Sequence, residues 1–117
     1  MTVKILNTEL EIDFYDADEM EKIENSFEKT QQEVQNYMNK KTQKTSEVIR
    51  SVCKVVFDFF NEVFGEGTDK KIFGTKTNLI ECLKAFEQFV DAKVKQDKEL
   101  EEISNKYNPN RAKRKAK

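Results

Sequence analysis

Residues 47–64 read EVIRSVCKVVFDFFNEVF. Val48, Ile49, Val52, Cys53, Val55, Val56, Phe57, Phe59, Phe60, Val63 and Phe64 cover far more than one helical face, so this segment is buried from several sides. Its β-branched and aromatic residues would also suit a strand. Eighteen residues without a turn signal exceed strand length, however, and Gly65 stands where a helix C-cap glycine belongs. The segment is therefore read as the central helix of a helical domain, and the rest of the chain must pack around it.

Downstream, GEGTDKKIFG (residues 65–74) holds all three glycines of the chain. Thr68 is expected to cap a single turn containing Lys70 to Phe73, which Gly74 ends. A phosphate cradle with Lys70 and Lys71 is one reading of this loop, but the spacing fits no phosphate motif; a chain reversal packing Ile72 and Phe73 under the helices fits better. Asn78 with Glu81 forms a capping box opening a last helix through Leu79, Ile80, Leu83, Phe86, Phe89, Val90 and Val94. Beyond Val94 the apolar positions thin to Leu100, Ile103 and Tyr107. The far half of this helix is expected to project beyond the core until Pro109 ends it.

Upstream, NKKTQKT (residues 39–45) has no apolar content and reads as a loop, with Thr45 or Ser46 capping the central helix. Before it, DADEMEKIE (residues 16–24) supplies acids to a first helical turn that Asp16 or Asp18 caps. Met20, Ile23, Phe27, Thr30, Val34 and Tyr37 then form a narrow stripe at spacings of three and four, suited to antiparallel packing on another helix. Residues 2–14 alternate imperfectly, with Val3, Ile5, Leu10, Ile12 and Phe14 apolar and Asn7-Thr8 between the two runs, which reads as a short β-hairpin. A lone hairpin is marginal in water, so it must lay one face on a helix or add to a neighbour's sheet edge.

The expected fold is mainly α (α+β): a three-helix bundle with a short N-terminal β-hairpin, a long C-terminal helix and a basic tail. Residues 1–107 form the domain, with the hairpin over about 1–15, and 108–117 form a disordered tail. The chain of 117 residues suits one domain.

Enzyme chemistry finds little support. There is no histidine, no glycine-rich nucleotide loop and no nucleophile elbow, and Cys53 and Cys82 have no histidine to raise their thiolate fraction. Both cysteines fall among apolar neighbours and read as buried thiols. Two separated cysteines without histidine cannot assemble a zinc site within one chain. The acids Asp13, Asp16, Asp18 and Glu19 are dense, but they read as helix N-terminal charge. No catalytic residue, metal or cofactor is expected. No run approaches the roughly 18 to 20 apolar residues that cross a bilayer, and the first residues lack a signal-peptide layout, so a cytoplasmic protein without a membrane partner is expected.

Charge supplies the positive indication. The chain carries 21 basic and 22 acidic residues, and Arg111, Lys113, Arg114, Lys115 and Lys117 account for five of the former, leaving a body of minus six. This arm admits nucleic acid, a membrane surface or an acidic protein surface, including that of another copy of the chain. No aromatic interleaves the cations and the acidic body would repel a duplex, so nucleic acid ranks below protein. With only Ala112 and Ala116 as apolar content, the tail does not suit a membrane.

Three segments, NTELEIDFYDADEMEKIE (7–24), FNEVFGEGTDKKIFGTKTNLIECLKAFEQFV (60–90) and NKYNPNRAKRKAK (105–117), resemble a family of small prophage proteins of Gram-positive bacteria. The ending NRAKRKAK is similar to the arginine-rich endings of such proteins, with Lys113-Arg114-Lys115 where an arginine pair is commoner. In size and order of elements these proteins look similar to tail assembly chaperones of long-tailed phages. The resemblance implies a non-enzymatic protein of the host bacterial cytoplasm that self-associates and keeps tail tube or tape measure protein soluble during tail morphogenesis. The alternatives are a nucleic-acid-binding accessory protein working through the tail and a self-assembling structural virion component. The residues expected to meet the partner are Arg111, Lys113, Arg114, Lys115 and Lys117 in the tail, with Val3, Ile5, Leu100, Ile103 and Tyr107 as apolar contacts.

Overall fold

The computed structural model describes residues 2–40 and 44–107. It is mainly α-helical, with an N-terminal β-hairpin and a long C-terminal helix: β1 Thr2–Ile5, β2 Thr8–Glu11, α1 Ala17–Met38, α2 Thr45–Phe64, α3 Thr68–Phe73 and α4 Leu79–Lys106. The single turn expected before the last helix is thus a six-residue helix of its own, α3.

In the hairpin Val3 pairs with Leu10 and Ile5 with Thr8. This register puts Val3, Ile5 and Leu10 on the buried face, and the alternation continues through buried Ile12 and Phe14. It also centres the turn on Leu6-Asn7, one residue before the expected Asn7-Thr8. The cost falls on Leu6, whose φ of 54° lies in the left-handed region that a leucine seldom adopts. Its N–H donates to Gln88 Oε1 at 2.6 Å, which pins the turn to α4. On the solvent face Lys4 stands opposite Glu9, an oppositely charged cross-strand pair.

Asp16 caps α1 by accepting the Glu19 N–H at 3.0 Å, while the Glu19 carboxylate accepts the Asp13 N–H at 2.9 Å. α1 runs antiparallel to α2: Phe27 packs edge-on to Phe59, and Ser26 donates to Glu62 at 2.8 Å. The stripe is mostly spent on this contact, with Ile23, Ser26 and Thr30 buried and Met20 and Phe27 packed against the core. α2 opens differently from expectation, because its cap position is Lys44, without a side-chain bond, and Thr45 is already helical. α2 is the central buried element, with Val52, Cys53, Val55, Val56, Phe59, Phe60 and Val63 all inside.

Gly65 ends α2 at φ 116°, a conformation closed to L side chains. Thr68, expected as a cap, is buried and donates to Gly65 O at 2.6 Å. In the first turn of α3 the Thr68 N–H donates to Gly65 O, and the Asp69 N–H is served by Asn61, whose Oδ1 accepts at 3.0 Å. α4 opens as the capping box predicted, with Asn78 Oδ1 accepting the Glu81 N–H at 3.0 Å. It then runs in the same direction as α2, so Phe59 meets Phe86 and Phe60 meets Phe89. Phe59, Phe60 and Phe89 each meet four other rings, and Phe59 joins three helices, with the rings of Phe27, Phe60, Phe86 and Phe89 at 5.1–6.5 Å.

Candidate functional site

A helix buries a residue only where another element covers it, and α4 loses its cover halfway along. Cys82, Ala85, Phe89 and Gln96 are the buried residues of α4 and lie on one stripe at steps of three, four and seven. Leu100, Ile103 and Tyr107 continue that stripe at further steps of four, three and four. They are 47%, 44% and 80% exposed, respectively. From Asp97 to Lys106 the helix carries its apolar seam into solvent over roughly 15 Å at 1.5 Å per residue. The molecule is accordingly long, 57 Å against 30 and 22 Å.

Gln96 sits at the boundary. It is 1% exposed, and among the described residues its Oε1 has no hydrogen-bond partner. Such an orphan acceptor costs about 1–3 kcal/mol, so the last covered position of the seam is polar at a loss of stability. The sequence reading passed over Gln96, although its spacing from Phe89 places it on the stripe.

The other expected apolar contacts do not survive as drawn. Val3 and Ile5 are 4% and 0% exposed because the hairpin lays that face on its own helices, α4 above all, leaving no side chain of theirs for a partner. The tail residues Arg111, Lys113, Arg114, Lys115 and Lys117 lie outside the described residues. Two surfaces, a groove and a cleft, were not foreseen. An apolar groove of about 300 Å³ runs between α1 and α4, lined by Glu24, Phe27, Val90, Lys93, Val94 and Asp97. Its rim holds the Lys93–Asp97 ion pair at 3.2 Å, and Val94 is 57% exposed. A polar cleft of about 490 Å³ lies between the hairpin turn, α3 and α4, with Lys76 and Lys84 at its edges. The acids Asp16, Asp18 and Glu21 at the start of α1 are exposed, and Glu24 in the groove places that start beside the root of the projecting α4.

The cysteines are structural in position. Cys53 and Cys82 are unbonded and fully buried, facing one another between α2 and α4. Burial pushes both thiols above their ordinary value, Cys82 the further because Cys53 also opposes its ionisation. Neither forms thiolate at neutral pH, so neither is placed to act as a nucleophile. Among the described residues no group of three or more Cys, Asp or Glu is arranged to hold a metal ion, and no helix is long and apolar enough to cross a membrane.

The exposed apolar seam of α4 is rooted beside the acidic start of α1. In comparison with known proteins, no curated protein and no solved structure matches the chain. Residues 6–117 match a family of unknown function, DUF6673, across nearly the whole chain, hairpin turn and helices included, and the chain belongs to that family.

Proposed function

We propose that this protein is a non-enzymatic binding protein of the tail assembly chaperone type, which keeps phage tail tube or tape measure protein soluble until the tail is built. The observation that carries the reading is the projecting half of α4, where Leu100, Ile103 and Tyr107 prolong a core stripe into solvent. A helix end of this form covers a partner's apolar assembly surface in the way amphipathic helices and grooves recognise one another. The finer architecture assigned to this role is a bundle of three long helices with the basic residues 108–117 as an electrostatic arm. Such an arm speeds encounter with an acidic surface more than it adds affinity.

Coexpression tests the reading. Phage tail tube and tape measure proteins are expressed with and without this chain, and their soluble fractions are compared. The expected result is a several-fold gain in soluble client that co-purifies with the chain at low salt. No gain and no co-purification would overturn the reading.

A further inference from the structure

The chain holds two cysteines, far apart in sequence, and the fold brings them face to face. We propose that Cys53 and Cys82 form a modification site: a thiol pair that closes into a disulfide by exchange with a small disulfide of the glutathione type and so staples α4 to α2.

The placement follows from the packing of the two helices. α2 and α4 run in the same direction, with Phe59 against Phe86 and, farther along both, Phe60 and Phe64 against Phe89. Cys53 precedes Phe60, and Cys82 precedes Phe89, by seven residues each. Seven residues are about two turns, so stepping back along both helices returns to the same facing stripes and sets one cysteine opposite the other. Both are 0% exposed and belong to one core cluster. The two thiols are also hydrogen-bonding neighbours.

A disulfide needs Cα atoms roughly 4.4–6.8 Å apart. Small side chains bring helix axes toward the near end of their roughly 8–10 Å range, and Cys82 with Ala85 gives α4 such a buried stripe. Packing by itself asks only for a small apolar side chain at each place. Facing thiols add the capacity to bond.

The fold gates the exchange. With α2 closed on α4, both sulfurs are shielded and protonated, and the native chain is inert. When α4 parts from α2, the thiols return toward their ordinary pKa of about 8.5. The Cys53 thiolate then attacks one sulfur of the small disulfide, forming a mixed disulfide and expelling one thiolate. As the helices come together, the Cys82 thiolate attacks the Cys53 sulfur and expels the second. Two protein thiols are oxidised to one disulfide, one small disulfide is reduced to two thiols, and the two protons pass through solvent to the leaving thiolates. The bond ties the root of the seam-bearing helix to the centre of the core. It rests neither on the seam's partner nor on the proposed function.

The test incubates the full chain with oxidised glutathione at about pH 8, in native buffer and in urea near the unfolding midpoint. Urea is then removed, free thiols are alkylated, and the product is read by intact mass and peptide mapping. The urea-treated chain should lose two hydrogens, take up no alkylating agent and yield a linked Cys53–Cys82 peptide, roughly tenfold or more faster than in native buffer. Cys82→Ala treated in the same way should stop at the glutathione adduct of Cys53. An unfolded chain can also close this loop, so the stability of the product discriminates: a bond that fits the native fold constrains only the unfolded chain and should raise the urea midpoint by about 1–2 M over the reduced parent. A parent that stops at glutathione adducts or links separate copies, or an oxidised chain no more stable than the reduced one, would overturn the pairing. Equal rates in native buffer and in urea would overturn the gating.

Discussion

Replacing Phe59 by alanine tests the packing that holds the projecting helix to the body. Phe59 is 1% exposed and meets the rings of Phe27, Phe60, Phe86 and Phe89, so it joins α1, α2 and α4 at one point. Truncating a buried phenylalanine costs about 3–5 kcal/mol in lost transfer energy and residual cavity. Each edge-on ring contact adds about 0.5–1.5 kcal/mol beyond its area, though these gains do not sum freely. A loss of about 4–5 kcal/mol follows, against a total of roughly 5–15 kcal/mol for a domain. Phe57 is the control: it is half-buried and meets one ring, Phe73 at 5.0 Å, so Phe57→Ala should cost about half as much. Urea unfolding followed by circular dichroism reads the difference. With a slope of about 2 kcal/mol per molar, the Phe59→Ala midpoint should fall by roughly 2 M. A loss under about 2 kcal/mol, or one no larger than that of Phe57→Ala, would refute the assignment of Phe59 to the junction of the three helices.

Three further outcomes are expected. Gln96→Leu removes the orphan acceptor at nearly constant volume and should stabilise the fold by about 1 kcal/mol; a loss in urea unfolding would mean that Gln96 is satisfied in solution. Gln88→Ala leaves the Leu6 N–H without its long-range acceptor and should cost about 1–3 kcal/mol, with faster hydrogen exchange confined at first to the hairpin turn. Cys53 and Cys82 should resist a thiol reagent in the native state and react fully in denaturant. Because both thiols titrate higher folded than unfolded, their stabilisation is complete below the unfolded pKa of about 8.5 and is lost as pH rises above it. Unfolding midpoints between about pH 8 and 9.5 should therefore decline in the parent and flatten when both cysteines are alanine.

Most of the helical frame was legible in the sequence because each element carries a local signal that tertiary packing does not oppose. Residues 47–64 are too long and too apolar for a strand, Asp16 and Asn78 cap where their neighbours are acidic, and Gly65 ends its helix. The misreadings occur where tertiary contacts override a local preference. Asn7-Thr8 looks like the better turn pair, but burying Val3, Ile5 and Leu10 together moves the turn onto Leu6, which pays in strain. Thr68 has the chemistry of a cap, yet the short loop draws it inside and leaves capping to Asn61. At the candidate site, thinning apolar content foretold the exposure of Leu100, Ile103 and Tyr107. The same content misassigned Val3 and Ile5, because alternation alone does not say whether the buried face meets the chain's own helix or another molecule. Gln96 was missed because polarity masked its place on the stripe.

The proposed function makes the uncovered end of α4 a protein-docking seam. Its most direct test is the yield of soluble tail tube protein coexpressed with the parent chain or with the Leu100→Glu, Ile103→Glu variant, both present at equal soluble levels. The parent should raise soluble client several-fold and co-purify with it, and the variant should do neither. Equal solubilisation by parent and variant would contradict it.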